Sequence, residues 1–172
     1  MELGLIPFVL CLYILTRGEG KDMIYYSFLN YGESSLDPAK EMMEHPNTIL
    51  GLGDGGAHCG SICDGSFTTH MLTHWTRDRK RGEKLELPWV IKAHCRDTAK
   101  AVGLNDRGIL APGYRADINI VDLKKMQLRK PEVHFDLPAG GRRLMQYADG
   151  YVATIVNGVP IYLDGESTGA RP

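Results

Sequence analysis

One carboxylate stands among four glycines in the segment from Asn47 to His58, which reads NTILGLGDGGAH. That carboxylate belongs to Asp54, and it follows an apolar run, Thr48 to Leu52, with the composition of a buried strand. A glycine-rich turn can reverse the chain, bind a phosphate or present a catalytic acid at the end of a strand. The local sequence also leaves open a plain turn in which Asp54 bonds its own loop amides.

The same segment formally matches the GxGxxG pattern of dinucleotide-binding loops between Gly51 and Gly56. Asp54 would then lie inside the loop that approaches the pyrophosphate, and its charge would repel that ligand. The next predicted helix begins near Ser66, which is too late for its amino terminus to bind the phosphates. We therefore reject a dinucleotide site.

Four side chains of zinc-binding type follow the motif, and they are Cys59, Cys63, His70 and His74. The linker between the two pairs is about half as long as in zinc fingers, and no ββα pattern surrounds it. We expect no zinc at this cluster. A nucleophilic Cys59 or Cys95 beside a histidine stays open, because adjacency in sequence does not establish geometry.

The overall charge of the chain is nearly balanced, with 20 Lys and Arg against 21 Asp and Glu in 172 residues. Such a chain has no general electrostatic field that attracts nucleic acid or an anionic membrane, so neither is expected as a partner. Four cysteines are too few for a disulfide-dense secreted module, which favours a reducing, cytoplasmic location.

The amino-terminal segment from Leu3 to Leu15 is almost entirely apolar. It is too short to span a bilayer, which needs ~20 residues. It is similar to the core of a signal peptide, but only the acidic Glu2 precedes it where basic residues are expected. A signal peptide, a buried strand and a displaced gene start are all open, and we expect residues 1–20 to contribute little to the fold.

Helices and strands alternate in the first part of the chain. Met23 to Leu29 has strand composition, Asp37 and Pro38 open a short helix, and Thr48 to Leu52 follows as a second strand. This order favours parallel pairing of the strands.

Two longer helices are predicted after the glycine-rich motif. The first runs from about Ser66 to Arg81, with a buried stripe and a basic run at its carboxyl end that complements the helix dipole. The second begins at Pro88 and ends at Gly103. The apolar residues assigned to the two helices are Phe67, Met71 and Trp75 for the first, and Val90, Ile91, Thr98 and Val102 for the second.

The pattern changes to short strands after Gly103. Ile118 and Ile120 predict one strand, and Thr154 to Val156 and Val159 to Tyr162 predict two more. Asn157-Gly158 between the last two is a strong hairpin signal.

Three stretches together carry a resemblance to a known family: GLGDGGAH, DRGILAPGYRADINIVD, and DLPAGGRR leading to GYVATIVNGVPIY. From about residue 22 to its end, the chain resembles the carboxy-terminal part of a metal-dependent amidohydrolase of the N-acyl-D-amino-acid deacylase, or D-aminoacylase-like, branch.

The resemblance implies an α/β fold, namely the last part of a (β/α)8 barrel in residues 21–103 and a small β-sandwich in residues 104–172. Residues 1–20 stay outside it. It also implies that Asp54 contacts the metal and its bound water and acts as general base, with zinc or another divalent ion as cofactor. His58 is expected to order the loop or contact a small N-acylated amine substrate.

The chain also departs from the family pattern. Its six histidines include no His-x-His pair, and the barrel part is far shorter than the ~250 residues of a complete barrel. The His-Pro-Arg stretch of D-aminoacylases is replaced by CGSICDGSFTTHM. We therefore expect an amidohydrolase part with Asp54 as general base, partnered by the missing barrel portion or another protomer. The alternative is an inactive remnant that serves as an interaction or assembly module.

Overall fold

Most of the helices precede the strands along the chain. The computed structural model describes residues 6–18, 22–24, 30–31, 34–51 and 53–172. Its α-helices are α1 (Pro7–Thr16), α2 (Asp37–Glu44), α3 (Phe67–His70), α4 (Leu87–Lys92) and α5 (Thr98–Ala101). Two π-helical segments are π1 (Met71–Asp78), which continues α3, and π2 (Ala93–Asp97), which joins α4 to α5. None of the described helices is long and apolar enough to cross a membrane.

The strands pair only in antiparallel fashion in the part of the chain that is described. They are β1 (Ile118–Val121), β2 (Gln127–Leu128), β3 (Glu132–Leu137), β4 (Gly141–Met145), β5 (Ala148–Asp149), β6 (Tyr151–Val156), β7 (Val159–Leu163) and β8 (Glu166–Ser167). Four of them form a sheet in the order β1-β6-β7-β8, while β2 pairs with β5 and β3 pairs with β4. The mixed helix and strand content agrees with the predicted α/β class, whereas the barrel and the sandwich stay predictions.

The β6–β7 hairpin forms as predicted. Val156 pairs with Val159 across a two-residue turn. Asn157 and Gly158 both have positive φ, at 50° and 81°, as a type I′ turn requires. This turn matches the twist of the flanking strands, so the local sequence is sufficient to set the register.

The first predicted helix forms as α3 followed by π1, and it ends at Asp78 rather than at Arg81. Met71 and Trp75 of the predicted stripe are buried. The N–H of Arg79 bonds the carbonyl of His74 at 2.9 Å, which is the five-residue step of a π turn.

The second predicted helix also forms, as α4 followed by π2 and α5. Its buried side chains are those of Val90, Ala93 and Ala99. Ile91 and Val102, which were also assigned to this helix, are 43% and 70% exposed. A π turn contains more residues than an α turn, so π2 shifts the residues of α5 around the helix axis relative to those of α4. The helix stops before Gly103, whose φ is +79°, as predicted.

The strand predicted from Thr48 to Leu52 is wrong over residues 48–51, which have no regular structure. Leu50 is buried there and Ile49 is exposed. A parallel strand requires a hydrogen-bonded neighbour, and none pairs with this segment among the described residues. Residue 52 and residues 25–29 of the other upstream strand prediction lie outside the described residues.

The apolar amino-terminal segment forms a helix, α1, so the alternative of a buried strand is wrong for residues 7–16. No residue of α1 is buried. By its internal contacts the chain divides into two units, residues 1–39 and residues 40–172. The predicted divisions into residues 1–20, 21–103 and 104–172 stay predictions.

Candidate functional site

Asp54 lies at the start of a tight loop and is exposed to solvent. Its carbonyl accepts the N–H of Ala57 at 3.0 Å, and turns continue through Ser61. The backbone carbonyl, rather than the carboxylate, therefore closes this turn. The side chain of Asp54 remains available to a substrate or a metal.

The glycines beside Asp54 permit close packing of this loop onto the start of α3. A Cβ added to Gly53 would lie 2.7 Å from the carbonyl oxygen of Asp64 and 2.9 Å from Cδ1 of Phe67. A Cβ on Gly55 would lie 2.7 Å from the nitrogen of Gly65. Any larger residue at these positions would push the loop away from the helix, so the glycines fix the position of the Asp54 backbone.

His58 orders the loop through its backbone. Its φ is +46°, in the left-handed region that turns use and that non-glycine residues rarely adopt. Its carbonyl accepts the N–H groups of Ser61 at 2.8 Å and of Ile62 at 3.2 Å. The loop-ordering role expected of His58 has this local basis, while contact of its exposed ring with substrate stays a prediction.

The structure does not gather a metal-binding set around Asp54. In the part of the chain that is described, no three His, Cys, Asp or Glu side chains form a group that could hold a metal ion. The residues present therefore do not fit a complete zinc site, and a metal at Asp54 would require ligands from another part of the polypeptide.

The four residues of zinc-binding type that follow the motif contact different partners. The thiol of Cys59 faces the carbonyl of Arg142 at 3.9 Å, and that of Cys63 faces Oε1 of Gln146 at 3.8 Å. The rings of His70 and His74 instead stack on each other, with centroids 4.8 Å apart. The prediction that this cluster binds no zinc stays a prediction.

The loop after Asp54 is attached to the β3–β4 hairpin. The N–H of Leu144 bonds the carbonyl of Cys59 at 2.6 Å, which adds the loop backbone to the outer side of β4. The hydroxyl of Ser66 donates to Oε1 of Gln146 at 2.6 Å, and Nε2 of Gln146 donates to the carbonyl of Arg129 at 2.9 Å. Sequence reasoning missed Gln146, because nothing near it in the sequence marks a long-range contact.

The π1 helix is attached to the strand region through Arg77. Nη2 of Arg77 donates to the carbonyl of Met126 at 2.8 Å, and Nη1 donates to that of Leu123. Its Nε also pairs with Asp78 at 2.6 Å, and this hydrogen bond lowers the pKa of the Asp78 carboxyl. The basic run was interpreted as complementing the helix dipole, and Arg77 in addition connects π1 to the strand region.

Arg79, from the same basic run, is buried against Trp75. Its guanidinium carbon lies 4.4 Å from the centroid of the Trp75 ring, a cation–π contact. Its Nε also donates to the carbonyl of Arg81 at 2.6 Å. The alternation of arginines with other charged residues gave no signal that one of them enters the core.

Three histidines near this helix have depressed basicity. Desolvation lowers the pKa of His70, His74 and His94, and the neighbouring His74 adds to the effect on His70. The ring of His94 lies 5.9 Å from that of Phe67, and its Nε2 is buried without a hydrogen-bond partner among the described residues. His94 therefore packs beside Phe67 at the start of α3, where burial disfavours its charged form.

A cleft in the strand region does not include any predicted site residue. Its lining is Asp122, Lys125, Arg129, Ala148, Asp149, Gly150, Tyr151, Val152, Asp164 and Gly165. Asp149 accepts hydrogen bonds from Arg129, and Asp122 accepts those of the Lys124 and Lys125 backbone. These carboxylates are used in local structure, so we assign the candidate site to Asp54 and its loop.

Comparisons with known proteins find one matching family and one curated relative. A model of the amidohydrolase family matches residues 20–162. Among curated proteins, adenine deaminase 1 of Rhizobium etli is 39% identical over 83 residues, which are 48% of this chain and 13% of that protein. The chain thus spans a small part of that relative's length. No solved structure matches it.

Proposed function

The chain belongs to the amidohydrolase family, and we propose that it contributes the Asp54 side of an active site that hydrolyses non-peptide C–N bonds. The observation that supports this best is the exposed carboxylate of Asp54 on a backbone that Gly53 and Gly55 hold against the start of α3. A general base must be both accessible and fixed, and this loop meets both conditions.

In the proposed reaction Asp54 acts as general base and then as general acid. Its carboxylate accepts a proton from the attacking water while the water oxygen adds to the acyl carbon. It then gives that proton to the amine nitrogen as the C–N bond breaks, which releases a carboxylic acid and an amine. Such proton transfers contribute ~10²–10⁴-fold to enzymatic rates.

The metal expected of this family has to be held mainly by other residues. Zinc or another divalent ion, when bound, supplies a Lewis acid and lowers the pKa of water. The described residues contain no group of three ligands, and we propose Asp54 as the ligand that this chain contributes. The remaining ligands are proposed to come from the missing barrel portion or another protomer.

As substrate we propose a small N-acylated amine of the N-acyl-amino-acid type. The GLGDGGAH and DLPAGGRR stretches support this proposal because they resemble those of the deacylase branch. The name of the Rhizobium etli relative specifies deamination of adenine, which also breaks a C–N bond. The bond type is therefore common to both comparisons, while the deacylase assignment rests on the motifs.

A second candidate function is an inactive remnant that serves as an interaction module. Exposed apolar side chains in the unit of residues 40–172 favour it, among them Ile49, Val102 and Leu110 at 56%, 70% and 85% exposure. Such residues would pack on the missing barrel portion in the enzyme or on another protein in the remnant. All four cysteines are free, which supports the proposal of a reducing, cytoplasmic location for either function.

A graft tests the role of Asp54. Residues 22–172 replace the carboxy-terminal part of a complete N-acyl-D-amino-acid deacylase, and amine release is measured for the graft and its Asp54→Asn variant. We expect kcat to fall at least ~100-fold in the variant because the general base is lost.

The matched control for the graft is Asp64→Asn, which changes another exposed carboxylate of the same region. Its kcat should stay near that of the unmodified graft. Equal activity of the Asp54→Asn variant and the graft would refute the general-base role. A folded, metal-loaded graft without activity would favour the remnant.

A further inference from the structure

Helix α1 is apolar around its whole circumference, and its apolar side chains are exposed except for Leu10 and Ile14, which are half-buried. Phe8 is 75% exposed, Leu12 and Tyr13 are each 53% exposed, and no residue of the helix is buried. Successive residues of an α-helix are ~100° apart, and the sequence PFVLCLYILT places no charged residue on any side. An ordinary surface helix has a polar face, and this one has none.

This helix lies outside the part of the chain that matches the family. The family match begins at residue 20, after the end of α1. The helix also belongs to the unit of residues 1–39 rather than to the unit that carries Asp54. Its apolar surface is therefore not a piece of the family's core that has lost its cover.

We propose that α1 inserts into the hydrocarbon of a lipid bilayer and attaches this protein to a membrane surface. A protein groove covers one stripe of a helix, whereas lipid chains surround the helix. Only surroundings of lipid match a helix that is apolar on all sides. The charge pattern also matches lipid, because no charged residue occurs between Glu2 and Arg17. Arg17 then lies at the end of the helix, where headgroups begin.

Two polar groups near the carboxyl end of α1 are bonded within the helix. The hydroxyl of Thr16 donates to the carbonyl of Leu12 at 2.7 Å, and the N–H of Arg17 donates to that of Tyr13 at 3.1 Å. At the other end, Pro7 lacks an N–H group. Hydrocarbon offers no hydrogen bonds, so a segment that enters it must satisfy its polar groups internally.

The length of α1 limits how deeply it enters. Ten residues extend over ~15 Å, against ~30 Å for the hydrocarbon of a bilayer. The helix therefore reaches into one leaflet. The proposal departs from the expectation of no membrane partner, which rested on the absence of a basic field and on an apolar segment too short to span a bilayer.

Flotation of the purified 172-residue chain with vesicles tests the proposal. One set of vesicles is pure phosphatidylcholine, and a second also contains phosphatidylglycerol. The chain should float with both, because insertion depends on apolar contact. The double variant Val9→Gln plus Leu12→Gln should bind at least ~100-fold less, since two buried aliphatic side chains are lost from the lipid contact.

A matched control changes two equally apolar, exposed residues outside α1, Met42→Gln plus Ile91→Gln, and should float like the unmodified chain. Deletion of residues 1–20 should abolish flotation and leave the circular dichroism of the remainder intact. The proposal is overturned if the unmodified chain stays unbound with both vesicles, or if it binds only the anionic ones. It is also overturned if the glutamine pair leaves flotation unchanged and alters only self-association in lipid-free gel filtration.

Discussion

The strand region and the segment that carries Asp54 are held in place by different interactions. Strand β6 is hydrogen-bonded on both sides, to β1 and to β7. The segment around Asp54 has no ladder in the described residues, and it is positioned by glycines that pack on α3 and by the bond between Leu144 and Cys59. Ladders of backbone hydrogen bonds position the strand region. Close steric contact, together with the one bond from Leu144, positions the segment around Asp54.

The difference shows which structures can form from a local stretch of chain. The β6–β7 hairpin includes both partners within a few residues, so its pairing is complete in this chain. A parallel strand from Thr48 to Leu52 would need neighbours that are distant in sequence. Under the proposed function, the site of Asp54 would therefore depend on distant polypeptide in a way that the hairpin does not.

Among the changes that test this difference, Trp75→Ala should have the largest effect on stability. Trp75 is 4% exposed and supports the helix against which the Asp54 loop packs. Its removal should lower the free energy of unfolding by ~3–5 kcal/mol, measured by urea denaturation, because a large cavity forms. The half-buried Trp89 is the control, and Trp89→Ala should cost clearly less. Equal losses of unfolding free energy in the two variants would mean that π1 is not the main support of the Asp54 loop.

A smaller and more local effect is expected from Gly53→Ala. The added Cβ would meet the carbonyl oxygen of Asp64 and the ring of Phe67, so the free energy of unfolding should fall by about 1–3 kcal/mol. Hydrogen exchange of the Asp54 loop should quicken while that of β6 and β7 stays the same.

Gly51→Ala is the matched control for this change, because a Cβ there meets nothing within 4 Å. It should be neutral or slightly stabilising. Loss of protection throughout β6 and β7 in the Gly53→Ala variant would contradict the distinction between the two regions.

The sequence was informative where a pattern is complete within one segment. Asn157-Gly158 predicted its turn, Gly103 predicted the end of a helix, and Met71 and Trp75 predicted a buried stripe. It gave no sign of the π-helical segment Ala93–Asp97 inside the second helix, because a π turn has no signature in the local periodicity.

The surroundings of Asp54 were predictable only in part. The motif identified the aspartate and the need for glycines, but not the contacts of Gln146 or the burial of Arg79. Those contacts join residues far apart in sequence, and their geometry depends on how the helices and hairpins pack. Local composition contains no information about that packing.

The smallest expected effect is the pH dependence of stability that His94 of π2 contributes. Burial lowers the pKa of His94 in the folded chain, so the unfolded chain binds the proton first as pH falls below ~6.5. Stability should therefore decrease from pH 7 towards pH 5. His94→Gln should reduce that decrease, whereas His45→Gln, at an exposed position, should not. Thermal unfolding at several pH values measures both, and identical profiles for His94→Gln and the unmodified chain would refute the linkage.

The measurement that tests the account most directly is amine release from N-acyl amino acids by the purified 172-residue chain and by the graft, in one assay. Asp54 has no group of metal ligands around it in the described residues, so the account predicts that the chain alone stays at background with or without added zinc. The graft should be active, and Asp54→Asn should abolish that activity. Metal-dependent deacylation by the chain alone, lost in Asp54→Asn, would contradict the account and direct the search for ligands to His58, His70, His74 and His94.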